Sequence, residues 1–568
     1  MSILLNKFQR ACGIWQRDGV PGLKRRMRHN LFSLREALNY QKWVRKTGAA
    51  ADEDRKRITA TIGDLRYTPL ISVLLPVYNV DEKWLRLCIE SVTKQIYTNW
   101  ELCIADDRST MPHVRRVLED YAAADPRVKV VFRPENGHIS AASNSAMELA
   151  AGEFAVLLDH DDELSQDAFF WVANEICDFP DTAMIYSDED LIDERGRRFG
   201  PKFKPDFSRD LLYSLNLITH LSAYRTEILR DVGGFRLGFE GSQDYDLALR
   251  VIEQISENQI RHIPRILYHW RAIRGSVAFS MDEKPYAHER ARDAIREHFQ
   301  RSGTKATVEK SLYNLHRARY ALPDPPPKIS LFILENNSKT VSNAKLSFKE
   351  ITDYKNIEVI DVATMNEPAA AINSAVARSG GEILCFIDGN LTPLSGDWLT
   401  EIASFAFHKQ IGAVGLKILD TDHTMLGGGL ILGGNNLVSN AYQGFPADEV
   451  GIMGRNGLTG NFSAVSASCM AVRRELFDLV GGFDSLKLPN KFYDADFCLK
   501  LRENGYRIVF TPFAKLMKID PKVKLNLEKK PSAKEARYFS SKWPEPLKSD
   551  PFYNPNLSKR DGSFSIDI

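Results

Sequence analysis

Residues 153 to 164, Glu153-Phe-Ala-Val-Leu-Leu-Asp-His-Asp-Asp-Glu-Leu164, end an apolar run in a cluster of carboxylates. Asp159, Asp161 and Asp162 repel one another at that spacing unless a cation neutralises them, and an all-oxygen cluster suits Mg²⁺ or Mn²⁺. The alternative is a solvated acidic turn capping a helix that starts near Ser165. Acids recur at Asp106-Asp107, in Tyr186-Ser-Asp188-Glu189-Asp190, and at Asp244 and Asp246 in Gly241-Ser-Gln-Asp-Tyr-Asp-Leu247. Either of the last two can take a proton from a hydroxyl, and either can simply cap the helix that opens there. His269 stands in Ile266-Leu-Tyr-His-Trp-Arg271, after a short apolar strand. A lone histidine is usually a satisfied side chain, so it counts here because of its company.

Such groups need a rigid frame. From Pro69 the chain alternates β-rich runs with amphipathic helices. Ile71 to Asn79 reads as a strand, and a helix follows from Asp81 with Trp84, Leu85, Cys88, Ile89 and Val92 on one face. Trp100 to Asp107 and Val128 to Phe132 are the next strands. A small-residue helix over Ser140 to Ala151 is stopped by Gly152, and the run before Asp159 is the fourth strand. This alternation predicts a parallel sheet wound by right-handed crossovers, with the acids gathered at its carboxyl edge.

The order of these residues resembles glycosyltransferase family 2, enzymes of the GT-A fold that take sugar from a nucleotide diphosphate. The resemblance rests on Pro76-Val-Tyr78-Asn79, Asp106-Asp107, Asn136-Gly137 with Ala141 to Asn144, Asp159-His-Asp161-Asp162, Gly233-Gly-Phe235, Gln243-Asp244-Tyr-Asp246 and His269-Trp-Arg271. It implies that Pro76, Tyr78, Asn79, Asp106, Asp107, Asn144 and Asp159 bind the donor. It further implies that Asp159, Asp161 and His269 serve Mn²⁺ or Mg²⁺, and that Asp244 is the catalytic base. Asp162, Asp188, Glu189, Asp246 and Arg271 would stand at the acceptor or behind the groups that touch substrate. The family usually has Glu where Gln243 stands. The reaction so implied is inverting transfer, of the hexosyl or rhamnosyl type, to a glycan or lipid-linked acceptor in O-antigen-like surface polysaccharide synthesis. The chemistry agrees: a cation stabilises the departing diphosphate, one carboxylate activates the acceptor hydroxyl, and direct displacement inverts the anomeric centre.

At 568 residues the chain exceeds one core. Past Pro323-Asp-Pro-Pro-Pro327, a stiff linker by composition, it repeats itself. Asn373-Ser-Ala375, Gly381-Glu382 and Phe386-Ile-Asp388 align without a gap on Asn144-Ser-Ala146, Gly152-Glu153 and Leu157-Leu-Asp159, and Gly481-Gly-Phe483 repeats Gly233-Gly-Phe235. The expected architecture is α/β: two tandem GT-A domains, Rossmann-like with mostly parallel sheets. They cover 67–322 and 328–520, between a helical segment at 1–66 and a loosely ordered tail at 521–568 that is rich in Pro, Lys and Ser. The second copy has Ala363 and Thr364 for Asp106 and Asp107, Asn390 for Asp161, Leu391 for Asp162, and Lys518 or a neighbour for His269. It is therefore expected to be degenerate. A bifunctional polymerase and a non-catalytic glycan-binding scaffold are the alternatives. A nucleotidyltransferase lacks support, since no Gly-rich basic loop follows the first strand.

A net charge of +1 gives no reason to expect nucleic acid, and seven scattered cysteines without a C-x-x-C pair argue for a reducing cytoplasm. Residues 1 to 57 nevertheless hold 14 Lys+Arg against 5 Asp+Glu. Leu23-Lys-Arg-Arg-Met-Arg-His-Asn30, with Trp15 before it and Leu31, Phe32 and Leu34 after it, reads as a basic amphipathic helix. Such a helix can lie on the anionic cytoplasmic face of the inner membrane or pack on the next domain.

Overall fold

A computed structural model of the chain describes residues 27, 30–48, 51–273, 285–335, 348, 351–364 and 367–568. Leu23 to Arg26, Trp15 and Cys12 lie outside them. The chain divides into two compact units, one of Tyr40–Phe207 with Leu215–Ala318, the other of Met1–Asn39, Ser208–Ser214 and Arg319–Asp567.

In the unit that opens at Tyr40 the core is one sheet. Its strands are β1 (Ile71–Val77), β2 (Trp100–Asp106), β3 (Val128–Phe132), β4 (Phe154–Leu157), β5 (Glu163–Leu164), β6 (Met184–Ile192), β7 (Arg198–Lys202), β8 (Ser222–Arg225) and β9 (Ile260–Arg271). They run in the order β3-β2-β1-β4-β8-β6-β9-β5, with β7 on β6. The sheet is mixed rather than mostly parallel. The half β3-β2-β1-β4 is parallel, β8 runs antiparallel to both β4 and β6, and β6 and β9 are parallel again. Every residue of β1 and β2 is buried, as suits strands covered on both faces. Asp81 caps the helix Glu82–Thr93 by accepting from Lys83 N, the expected start.

Register sets where the acids emerge. Val77 pairs with Asp106, while β4 ends with Leu157 opposite Leu74, three residues short of the end of β1. The chain from Leu158 to Asp162 therefore turns beneath the last residues of β1, where His160 Nδ1 meets Pro76 O at 3.2 Å.

The other unit repeats this plan from β2 onward, with no counterpart of β3 among the described residues. The order Ile357–Ala363, Ile329–Glu335, Ile383–Asp388, Cys469–Arg473, Ile411–Leu419, Arg507–Lys518, Leu391–Pro393 matches β2-β1-β4-β8-β6-β9-β5, with the same senses. Internal wiring is duplicated as well. Ser72 donates to Glu101 and accepts from Gly152 N, and Ser330 does the same with Glu358 and Gly381. A Cβ on Gly152 or Gly381 would lie 2.6 or 2.4 Å from that serine oxygen, which is why both positions are glycine.

Residues 521–568 are not a loose tail. Ser532 and Glu535 form a capping box for the helix Ala533–Lys542. Phe539 and Trp543 are buried, Phe564 stacks on Tyr442, and Asp550 accepts from Leu432 N and Ser463 Oγ. Composition misleads here because a few aromatic and capping residues outweigh the many lysines around them. A second departure lies at Ser208–Ser214. Although surrounded in sequence by the first copy, it belongs to the unit built by the second, where Asp210 pairs with Arg507 at 2.8 Å and accepts from Asn461.

Candidate active site

A cleft of about 820 Å³ opens at the carboxyl edge of β1 and β4, within the usual size of ligand pockets. Pro76, Tyr78, Asn79, Asp107, Asp159, Asp161 and Asp244 all line it. Asn79 has φ 46° and its side-chain oxygen accepts from Thr110 N and Met111 N, so it holds the loop beyond β2. Asp107 accepts from Arg133 Nε and Gly137 N, both at 2.9 Å, which fixes the Asn136-Gly137 corner of the cleft.

Asp244 sits in the first turn of the helix Gln243–Val251, whose amino end favours a carboxylate. Asn216 Nδ2 donates to one of its oxygens at 2.9 Å. Burial raises its pKa and Asp159 adds to the rise, against opposing contributions from His220 and backbone N–H groups. The result is a carboxyl more basic than usual in one cleft with Asp159 and Asp161, as proton abstraction requires. Among the described residues, no three His, Cys, Asp or Glu side chains form a ready-made metal cage. A cation shared with a diphosphate needs one or two carboxylates, not a protein cage, and Asp159 and Asp161 fit that demand.

Several expected site residues do other work. Asp106 accepts from Ser109 N and does not line the cleft. Asn144 is not a donor ligand: its amide donates to Phe235 O and accepts from Phe235 N, and Gly234, at φ +65°, passes so close that a Cβ would meet Asn144 Oδ1 at 2.5 Å. Asn373 clasps Phe483 in the same way, as a structural clasp would in both copies. Asp246 is buried between Arg236 and Arg250 and does not line the cleft, and Arg250 also donates to Val232 O and Gly234 O. Asp496 and Lys500 repeat that arrangement.

His269 is the clearest correction. Strand β9 alternates its faces. Tyr268 and Trp270 line the cleft, while His269 points away and pairs through Nδ1 with Asp190, which also binds Arg198 and Tyr40. Asp162, buried, accepts from Tyr268 OH at 2.6 Å and Arg271 N at 2.7 Å, so it pins β9 to the acidic turn. Arg271 stacks over Trp84 and donates to Asp161 O, which serves the fold rather than an acceptor. Asp188 meets His262 and Lys204 N, whereas Glu189 faces His220. Asn216 and His220, both in the cleft wall, carried no signal of their own in the sequence. They lie in an irregular stretch after the Ser208–Ser214 detour, where neither strand nor helix periodicity marks a face.

In the second copy the equivalent place is filled by the chain itself. Asp388, the counterpart of Asp159, accepts from Asn390 N and Asn526 N, and burial pushes its pKa up to about 6. Asn390, standing for Asp161, donates to Asp520 O and Val523 O, and Asn526 donates to Tyr493 OH. Asp494, standing for Asp244, accepts from Ala467 N. The strand pairing puts Met517 opposite Thr392 as His269 is opposite Glu163, so a neighbour of Lys518 holds the histidine position.

Residues 72–233 match the model of Glycosyl transferase family 2. The chain is 39% identical over 565 residues to the uncharacterised protein y4gI of Sinorhizobium fredii, covering 93% of this chain and 62% of that one. It is 31% identical to the O-antigen biosynthesis protein RfbC of Myxococcus xanthus, covering 89% of this chain and 42% of that protein. The chain thus spans about half the length of these two relatives. A shorter relative, the putative colanic acid biosynthesis glycosyl transferase WcaA of Escherichia coli, is 30% identical, with 35% of this chain and 74% of that protein covered.

Proposed function

Given that this chain belongs to glycosyl transferase family 2, we propose that its first domain moves a sugar from a nucleoside diphosphate to a glycan or lipid-linked hydroxyl, with inversion. The similarity to an O-antigen biosynthesis protein supports a bacterial surface polysaccharide as the product. The observation that carries the reading is Asp244, a carboxyl of raised basicity at a helix amino end, in one cleft with Asp159 and Asp161.

In this reading Pro76, Tyr78, Asn79 and Asp107 form the wall for the nucleoside. Asp159 and Asp161 are the groups that would hold Mn²⁺ or Mg²⁺, which supplies Lewis-acid stabilisation of the departing diphosphate. Asp244 takes the acceptor proton on the oxygen that Asn216 leaves open, while the acceptor oxygen attacks the anomeric carbon opposite the leaving group. One base and one displacement suffice, so no covalent sugar intermediate is required. The second domain holds acceptor or supports the fold and transfers nothing, a reading supported by the hydrogen bonds that Asn526 donates to Asp388 and Tyr493 and that Asn390 donates to Asp520 O and Val523 O. No helix among the described residues is long and apolar enough to cross a membrane. Membrane contact would be peripheral, through the amino-terminal helix.

A panel of nucleotide sugars with Mn²⁺ or Mg²⁺, scored for nucleoside diphosphate release with and without lipid-linked acceptors, tests the activity. The anomeric configuration of the product, read by NMR, tests inversion. Retained configuration, or full transfer in the presence of chelator, rejects the reading.

A further inference from the structure

We propose that His220, oriented by Glu189, is the imidazole that shares the divalent cation with Asp159, in the place the sequence offered to His269. The inference rests on the cation-dependent reading above and adds a nitrogen ligand to it.

Glu189 grips His220 twice. One carboxylate oxygen accepts from the backbone N–H of His220 at 2.8 Å and lies 3.1 Å from ring Nδ1. A carboxylate offers no proton, so this contact places the ring proton on Nδ1 and turns the Nε2 lone pair outward. Lys202 and Lys204 also pair with Glu189 and hold its carboxylate in place behind the ring. A carboxylate behind an imidazole is the usual support of a metal-bound histidine, because it fixes both tautomer and ring angle.

The ring is held on its other sides as well. It stacks on Tyr268 at 4.5 Å and 22°, and Trp270 lies tilted at 5.4 Å. Lys204 donates to the carbonyls of Thr219 and His220, so the backbone cannot carry the ring away. What remains is Nε2, directed into the cleft 3.7 Å from Asp159 Oδ2. That gap is too long for a hydrogen bond. A lone pair and a carboxylate oxygen facing across it are two donors for one cation, with diphosphate oxygens and water to complete the coordination. His269 cannot substitute, since Tyr268 and Trp270 on either side of it line the cleft and its own ring is on the other face of β9.

The test uses the full chain with Mn²⁺ and UDP or GDP. Mn²⁺ affinity is measured by titration, and directly bound imidazole is detected by pulsed electron paramagnetic resonance as a ¹⁴N coupling. The expected result is a ¹⁴N coupling in the native chain that changes to a ¹⁵N pattern when histidine is ¹⁵N-labelled. His220→Gln should abolish it and weaken Mn²⁺ at least tenfold, whereas His269→Gln keeps it. Glu189→Gln should weaken Mn²⁺ about 10- to 100-fold, as loss of a partner behind a metal ligand does. The labelled native chain remains informative if a variant does not fold. Tight Mn²⁺ binding with diphosphate but no histidine coupling overturns the His220 assignment and leaves the cation-dependent reading standing. So does a coupling that survives His220→Gln. Absence of Mn²⁺ binding with every nucleoside diphosphate overturns both.

Discussion

At the scale of single residues, the cleft divides its acids by environment. Asp246 sits between two guanidinium groups outside the cleft wall, whereas Asp244 lines the cleft, where burial and Asp159 make its carboxyl more basic. Asp244→Asn is expected to lower kcat by about 10²- to 10⁴-fold while donor affinity is largely kept. A near-native rate for this variant alongside a dead Asp246→Asn would move the role to Asp246. A base must be ionised to act, and burial and Asp159 raise the Asp244 pKa, so the rate should fall on acidification at a pH above the ordinary aspartate value of about 3.9. An acid limb at or below that value contradicts the assignment. Asp161→Ala should abolish transfer and cation-dependent nucleotide binding with the fold intact, because Asp161 lines the cleft and its carboxylate anchors no packing. Circular dichroism together with nucleotide titration reads both halves of that expectation.

Elements carry the next set of consequences. On the helix over residues 30–48, Phe32 meets Phe445 edge-on and Glu36 accepts from Ile566 N, so one face is turned onto protein. Leu31, Leu34 and Leu38 are each about 60% exposed, and Lys42 and Arg45 continue the same stripe at helical spacing, with Arg35 beside it. An apolar stripe flanked by cations suits an anionic bilayer surface. Replacing the three leucines by serine should weaken binding to anionic liposomes several-fold, and binding of the native chain should fall with salt. Unchanged flotation of the triple variant would exclude the helix as the contact. The carboxyl-terminal helix Ala533–Lys542 belongs to a core, since Phe539 is fully buried and stacks on Phe492. Phe539→Ala is expected to cost about 3–5 kcal/mol in denaturant unfolding of that unit. A loss under 1 kcal/mol would mean that the tail is as loose as its composition suggested.

For the molecule as a whole, two copies of one sheet have met different fates. Clasp and glycine positions persist in both, while in the second copy Asn390 replaces Asp161, and it and the retained Asp388 are both bonded to residues 520–528. A neutral amide is a weaker ligand than a carboxylate for a hard cation, and Asn390 already spends its amide on two backbone carbonyls. Asp494→Asn in the full chain should leave sugar transfer near native, measured as product per unit time with the best donor. Loss of one of two distinct linkages on that substitution would show a second live site and favour a polymerase.

Local sequence was enough for whatever depends on neighbours along the chain. Periodicity announced the strands, the abrupt acids after them announced a cation-tolerant edge, and the aligned Asn-Ser-Ala, Gly-Glu and Gly-Gly-Phe stretches announced the duplication. Register and facing were decided by folding. One step along β9 separates Trp270 in the cleft from His269 behind it, and no spacing rule tells which of two alternating residues looks inward. His220 becomes a site residue through Glu189, 31 positions away on β6, and Asn526 fills the second cleft from 138 positions beyond Asp388. Contacts at such separations depend on where the sheet puts its strand ends, which is a property of the assembled fold and not of any window of the chain.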